Sequence, residues 1–176
     1  MVQTIQSLCI QLKRRRCVET IRMTVCFPLT GTHIWLGKKK RSFGSGLWNG
    51  FGGRQKLGET IRETAKRESH EEAGIMLIRM KRVAVIRFVF RQTRIACEVH
   101  YHLSTQWRGV PVETEEMFPA IFEIDDIPYG TMWPADKLYL PVVLSGGLWV
   151  GTCIYSDPVK RRLIRLDLSE TKRLPY

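Results

Sequence analysis

Residues 41–59, RSFGSGLWNGFGGRQKLGE, carry six glycines in 19 positions, and a well-punctuated helical stretch follows at once. That much glycine excludes a regular helix or strand and leaves a loop whose backbone N–H and C=O groups stay open to neighbours. Thr60 with Glu63 three places on has capping-box spacing, and Gly74 is a helix stop, so the spacing predicts a helix from Thr60 to about Ala73. At 100° per residue, Glu68, Glu71 and Glu72 fall within about 100° of one another on that helix. Three carboxylates so close repel unless something positive sits among them. A solvated acidic face is the ordinary reading of a charge run, but Arg62, Lys66 and Arg67 interrupt this one and the glycine loop adjoins it. Hard carboxylate and carbonyl oxygens favour Mg²⁺ or Mn²⁺ over zinc.

Around this centre the pattern is strand-like. MTVCFPL and HIWLGKKK flank Thr30-Gly31-Thr32, which predicts a hairpin. RVAVIRFVF and IACEVHYHL read as two paired strands joined through Arg91–Arg94, and FPAIFEI as another strand. A loop punctuated by Pro128, Gly130 and Pro134 follows, then a short helix over Lys137–Leu144 interrupted by Pro141. LWVGTCIY and RRLIRLDL close as a last strand pair. The sum is an α/β chain of the α+β type, a mixed β-sheet covered by helices.

With 176 residues the chain is long enough for one domain with its own core, and no apolar run reaches the ~18 residues of a membrane span. Residues 1–22 read as a basic N-terminal extension to a domain over 23–176. Ile5, Leu8, Cys9 and Leu12 share a helical face there, as in a mitochondrial presequence or an arm with no targeting role, and Met23 offers an internal start. The formal charge of +11 is concentrated: residues 1–22 and 160–173 each carry a net +4. Charge at the two ends, without an interleaved aromatic platform, argues against a stable nucleic-acid complex and leaves small acidic ligands as the expected partners. Cys9, Cys17, Cys26, Cys97 and Cys153 are odd in number and form no CxxC pair, which predicts buried thiols in a reducing compartment. The expected address is the cytoplasm, with mitochondria or nucleus as further ones, and a monomer without membrane attachment is expected.

Gly53-x5-Glu59-x7-Arg67-Glu68-Ser69-x-Glu71-Glu72-x-Gly74-Ile75 resembles the signature of the Nudix hydrolases, GX5EX7REUXEEXGU with U a bulky aliphatic. Every fixed position matches. The departure is Ser69 at the first U, where the expected loss of packing is of order 1–2 kcal/mol. GKKKRSFGSGLWNGFGGR and PVETEEMFPAIFEIDDIPYGTMWPADKLYLP extend the resemblance to the oxidised purine nucleoside triphosphate hydrolases (the 8-oxo-dGTP diphosphatase type) over about residues 23–168.

That resemblance implies a Nudix fold and Mg²⁺-dependent hydrolysis of a nucleoside triphosphate to monophosphate and pyrophosphate, with 8-oxo-dGTP and 2-oxo-dATP as substrates. It implies Glu68, Glu71 and Glu72 as metal and catalytic carboxylates, the Gly52 carbonyl and Glu116 as further metal ligands, and Glu71 or Glu116 as general base. Arg67 is implied to pair with Glu59 and hold the loop to the helix. Lys39 is implied to meet the phosphates. Asn49, Asp136, Trp133, Phe43, Phe88 and Phe90, with Thr24 on the wall, are implied to hold the purine, although strand alternation makes at least one of the two β-strand phenylalanines a core residue. The resembled proteins carry two adjacent aspartates after Trp-Pro, where this chain has Ala135-Asp136. One lost carboxyl contact costs ~1–3 kcal/mol of discrimination, so another modified nucleotide, a dinucleoside polyphosphate or a capped RNA stays open as substrate. A non-catalytic nucleotide-binding module is the rival of a different class, and the intact box speaks against it.

Overall fold

The computed structural model describes residues 19–93, 95–157, 159 and 161–176. Cys9, Cys17 and the helical face expected around Ile5 lie outside them. Eight strands follow in chain order: β1 (Glu19–Thr30), β2 (His33–Lys39), β3 (Trp48–Asn49), β4 (Met76–Phe90), β5 (Ile95–Arg108), β6 (Met117–Glu123), β7 (Trp149–Tyr155) and β8 (Leu163–Glu170). Among the described residues two α-helices join them, α1 (Ile61–Ala73) and α2 (Asp136–Leu144). The sheet order is β3-β2-β1-β5-β4-β7-β8, with β6 on β2. Among the described residues no helix is long and apolar enough to cross a membrane.

The sheet is mixed, as expected, but three local expectations are corrected. β1 and β2 pair as a hairpin only at their tips, Leu29 with Ile34 and Thr30 with His33. β1 instead runs parallel to β5 over ten registered pairs from Glu19–Ile95 to Pro28–Ser104, while β2 spends its length on β6. The strand therefore begins at Glu19, inside the stretch that composition set apart as an extension. Pro141 does not interrupt α2. It sits within the helix, where the final turn is closed by Ser145 N donating to Pro141 O and Val142 O.

Alternation along β1 divides the core. Val25 and Phe27 face the larger cluster, with Ile86, Tyr101, Leu140 and Tyr155. Cys26 faces the other side, where Phe51, Ala65, Ala73, Ile75, Leu77, Met80 and Met117 pack under α1. Small Ala65 and Ala73 let that helix lie close on the sheet, and Ser69, fully buried between them, has no hydrogen-bond partner for its Oγ. An aliphatic side chain would fill that place without a stranded hydroxyl. Cys26 and Cys153 are buried thiols and Cys97 is half-buried.

Helix α1 starts and stops where the sequence predicts. Thr60 Oγ1 accepts from Glu63 N at 3.2 Å, Glu63 Oε2 accepts from Thr60 N at 2.7 Å, and Gly74 closes the helix at φ 70°. Thr60→Ala removes half of this exchange and is expected to lower stability by about 1 kcal/mol in urea unfolding. An unchanged midpoint would show that the cap contributes nothing to how α1 is held.

Candidate active site

The glycine loop is laid against β1 by backbone pairing. Thr24 N donates to Gly53 O at 3.0 Å, and Cys26 and Phe51 exchange N–H···O bonds of 2.7 and 2.9 Å. That places Gly52 and Gly53 over the α1 face bearing the carboxylates. Glu72 is 1% exposed, and its Oε2 accepts from Gly52 N at 2.7 Å while Oε1 lies 3.8 Å from Lys39 Nζ. Burial pushes its carboxyl up to about 8, opposed by Lys39 and the Gly52 N–H. Burial likewise raises Glu68, which its hydrogen bond from Arg67 opposes.

Arg67 does more than the sequence assigned to it. Its Nε and Nη2 grip Glu59 at 2.5 and 2.9 Å, as the loop-to-helix tie requires, and this bond holds the Glu59 carboxyl down to about 2. Its Nη1 also lies between Glu68 (2.7 Å) and Glu71 (2.9 Å). This guanidinium is therefore the positive group set among two of the three close carboxylates, with Lys56 Nζ at 3.7 Å from Glu71, while Glu72 has Lys39. Glu116 keeps an exposed carboxylate paired to Arg41 at 2.6 Å, close enough to Glu72 to raise it slightly. Among the described residues no three acidic, histidine or cysteine side chains are drawn together tightly enough to close on one ion.

A cleft of roughly 800 Å³, open to solvent, begins at Gly52 and Lys39 and runs inward between β1, β4, β5 and the segment around Trp133. All eight residues expected to bind substrate line it: Thr24, Lys39, Phe43, Asn49, Phe88, Phe90, Trp133 and Asp136. Phe43 leans on Trp133 with ring centroids 5.1 Å apart, and Arg161 lies over the Trp133 ring at 5.5 Å. Phe90 is both core and wall, stacked on Tyr155, while Phe88 is half-buried. Asn49 Oδ1 accepts from Gly50 N at 2.8 Å, which leaves the amide nitrogen to donate. Thr24 borders the cleft, but its hydroxyl is engaged elsewhere: Oγ1 donates to His100 O at 3.2 Å and lies 3.1 Å from His102 Nδ1. Burial brings His102 down to about 4, so that imidazole is neutral at physiological pH.

Glu68, Glu71 and Glu72 all stand outside the cleft, so the carboxylates and the aromatic walls form two compartments joined through Gly52 and Lys39, which line the cleft and reach Glu72. One end is built to hold charge and the other a flat apolar ring with a few polar edges. Sequence reasoning missed Tyr101, Tyr139 and Tyr155, which line the inner end. Alternation on β5 already sets Tyr101 on the face of Val99 and Cys97, which also line the cleft.

The NUDIX domain family matches residues 20–142. An oxidized purine nucleoside triphosphate hydrolase from Mus musculus is 38% identical over 134 residues, 76% of this chain and 86% of that protein. The protein of the same name from Danio rerio is 37% identical over 129 residues, 73% of this chain and 83% of that one. Among solved structures, the Mutator MutT protein from Bacillus halodurans superposes with a TM-score of 0.74 at 26% identity, covering 84% of this chain and 97% of its own.

Proposed function

The chain belongs to the Nudix family of hydrolases, which act on phosphorus-containing anhydrides, and from that premise we propose that it hydrolyses oxidised purine nucleoside triphosphates such as 8-oxo-dGTP and 2-oxo-dATP to the monophosphate and pyrophosphate. The supporting observation is the junction itself: Gly52 and Lys39 border the aromatic cleft and also touch Glu72. A nucleotide laid along this line puts its base between Trp133 and the phenylalanines and its phosphates at the carboxylates.

The donors are hard carboxylate and carbonyl oxygens, the kind a divalent cation takes, and binding would draw them together from the spread arrangement described above. Glu72 buries a carboxylate beside one cation at 3.8 Å, and a side chain on Gly53 would occupy the space taken by the Glu68 carboxyl group. Glu68, Glu71 and Glu72, with the Gly52 carbonyl and Glu116, are the oxygens we assign to it, with Mg²⁺ the preferred ion and Mn²⁺ a substitute. When bound, such an ion neutralises phosphate charge and acidifies water. The protein's own part is positional. Arg67 fixes Glu59 to α1 and separates Glu68 from Glu71. Lys39 supplies fixed positive charge where the phosphates enter. Glu71 or Glu116, both exposed enough to meet water, takes the proton as the anhydride bond breaks.

At the base end, Asn49 offers a donor and Asp136 a carboxyl group, while Ala135 offers none. This departure favours a broader base preference than two carboxyl groups would enforce. We further propose a monomer acting on a small-molecule nucleotide in the cytoplasm, with residues 1–22 as a basic extension whose last four residues open β1.

The test is pyrophosphate release from 8-oxo-dGTP and 2-oxo-dATP beside dGTP and dATP, with Mg²⁺ and then Mn²⁺. Asp136→Asn is expected to lower kcat/KM for the oxidised purines about 10- to 100-fold. Hydrolysis of unrelated nucleotides with none of the oxidised purines would overturn the substrate reading and leave the hydrolase assignment intact.

A further inference from the structure

Beyond the contacts that a base would meet directly, the inner end of the cleft holds a continuous line of buried oxygens. Asp136 is 2% exposed and is the only carboxylate among the described residues that line the cleft. Its Oδ2 accepts from Trp133 N at 3.1 Å and its Oδ1 accepts from Tyr139 OH at 2.7 Å. Tyr139 OH in turn accepts from Tyr101 OH at 2.9 Å. The line crosses from α2 to β5, and both rings are clamped: Phe88 meets Tyr139 edge-on at 5.9 Å and Phe27 stacks on Tyr101 at 6.2 Å. The neighbouring Ala135 adds no polar side chain, and its N–H is taken by Tyr155 OH at 3.0 Å.

We infer that Tyr139, backed by Tyr101, is a positioning residue for base recognition: its hydroxyl pins one oxygen of Asp136, so that the single carboxyl group of the cleft meets the purine edge in one orientation. The inference rests on the reading of Asp136 as a base contact. The direction of the line is what gives it force. A hydroxyl has one proton, and Tyr139 receives a hydrogen bond from Tyr101, so its own proton points at Asp136. Asp136 is thereby held as an acceptor, the form that takes hydrogen bonds from the N–H groups of an oxopurine.

The groups facing Asp136 come from every element around it: Tyr139 on α2, Tyr101 on β5, Cys153 and Tyr155 on β7, and Tyr129 in the preceding turn, each with its own proton held more tightly by burial. The guanidinium of Arg161 stands outside them, over Trp133. Burial pushes the Asp136 carboxyl up to about 7, and the Tyr139 hydroxyl and Trp133 N–H pull it down. Removing the hydroxyl therefore raises it further, and carboxylate is lost at a higher pH.

The experiment compares wild type, Tyr139→Phe and Tyr101→Phe in two ways. Carboxyl ¹³C chemical shifts follow the Asp136 titration in the free protein, and kcat/KM for 8-oxo-dGTP is measured from pH 5.5 to 9. In Tyr139→Phe the titration midpoint and the acid limb are expected to rise together by about one pH unit, with KM at pH 7 raised about tenfold. Tyr101→Phe moves both in the same direction by less, and it carries the test if Tyr139→Phe does not fold. A midpoint that stays in place overturns the inference. So does a midpoint that moves while the acid limb and KM stay, since Asp136 would then be held without reading the base. If wild type hydrolyses some other nucleotide and no oxidised purine, the substrate reading fails, while the titration midpoint and the acid limb on that nucleotide still decide the role of Tyr139.

Discussion

Glu72→Gln is expected to lower kcat about 1000-fold while leaving the metal-free protein at least as stable as wild type. The two halves of this result have one origin. Glu72 is the most buried of the three helix carboxylates, with one oxygen on Gly52 N and the other at 3.8 Å from Lys39, too long for a direct hydrogen bond. Burial of a carboxylate with one good bond and one distant cation costs more than those contacts return, which is why its proton is held so tightly. Glutamine keeps an oxygen for Gly52 N–H and drops the charge. The fold loses a desolvation cost, and the site loses the charge by which it gathers cation and phosphate. Thermal scans without metal should show an equal or higher midpoint for the variant, and added Mg²⁺ should raise the midpoint of wild type only. A variant with wild-type turnover would remove Glu72 from the chemistry, and one that melts well below wild type would show that the charge serves the fold.

What could be read from the sequence was what short-range chemistry decides. The limits of α1 follow from Thr60, Glu63 and Gly74, all within one turn of the ends they cap. The Glu59–Arg67 tie came from resemblance, and the structure makes it. The eight cleft residues also came from resemblance, and the structure gathers them around one cleft. Pairing partners were harder. Thr30-Gly31-Thr32 signals a reversal, and the chain does reverse there, but whether the strands stay together depends on rivals distant in sequence. β5 offers β1 ten pairs at a separation of 76 residues, and no local feature announces it. The tyrosine line was hidden for the same reason. Tyr101 and Tyr139 are unremarkable on their own elements and become a relay only when α2 is set against β5. The additional hold of Arg67 on Glu68 and Glu71 likewise depends on side-chain directions that spacing alone leaves open.

Alanine at Gly53 is expected to lower kcat about 100-fold with little change in stability, and alanine at Gly52 to cost about 3 kcal/mol of stability, although the two positions are adjacent. The difference lies in what each added methyl would meet. At Gly53 the Cβ would come within 2.6–2.7 Å of the Glu68 carboxyl atoms, the end of a flexible side chain. Glu68 can swing aside, but it is one of the proposed ligands and Arg67 holds it at 2.7 Å, so the movement breaks the arrangement that the chemistry needs and spares the sheet. At Gly52 the Cβ would lie 2.0 Å from Thr24 O and 2.7 Å from Thr24 C, which are backbone atoms of β1. Nothing there can rotate away. Relief requires lifting the loop, and that breaks the Thr24 N to Gly53 O bond and strains the Cys26–Phe51 exchange. Urea unfolding and kcat measured on both variants separate the cases. Equal stability loss at both positions would show that the loop is held as one rigid piece, and full activity in Gly53→Ala would show that Glu68 can leave its place without consequence, which would remove it from the proposed metal-binding carboxylates.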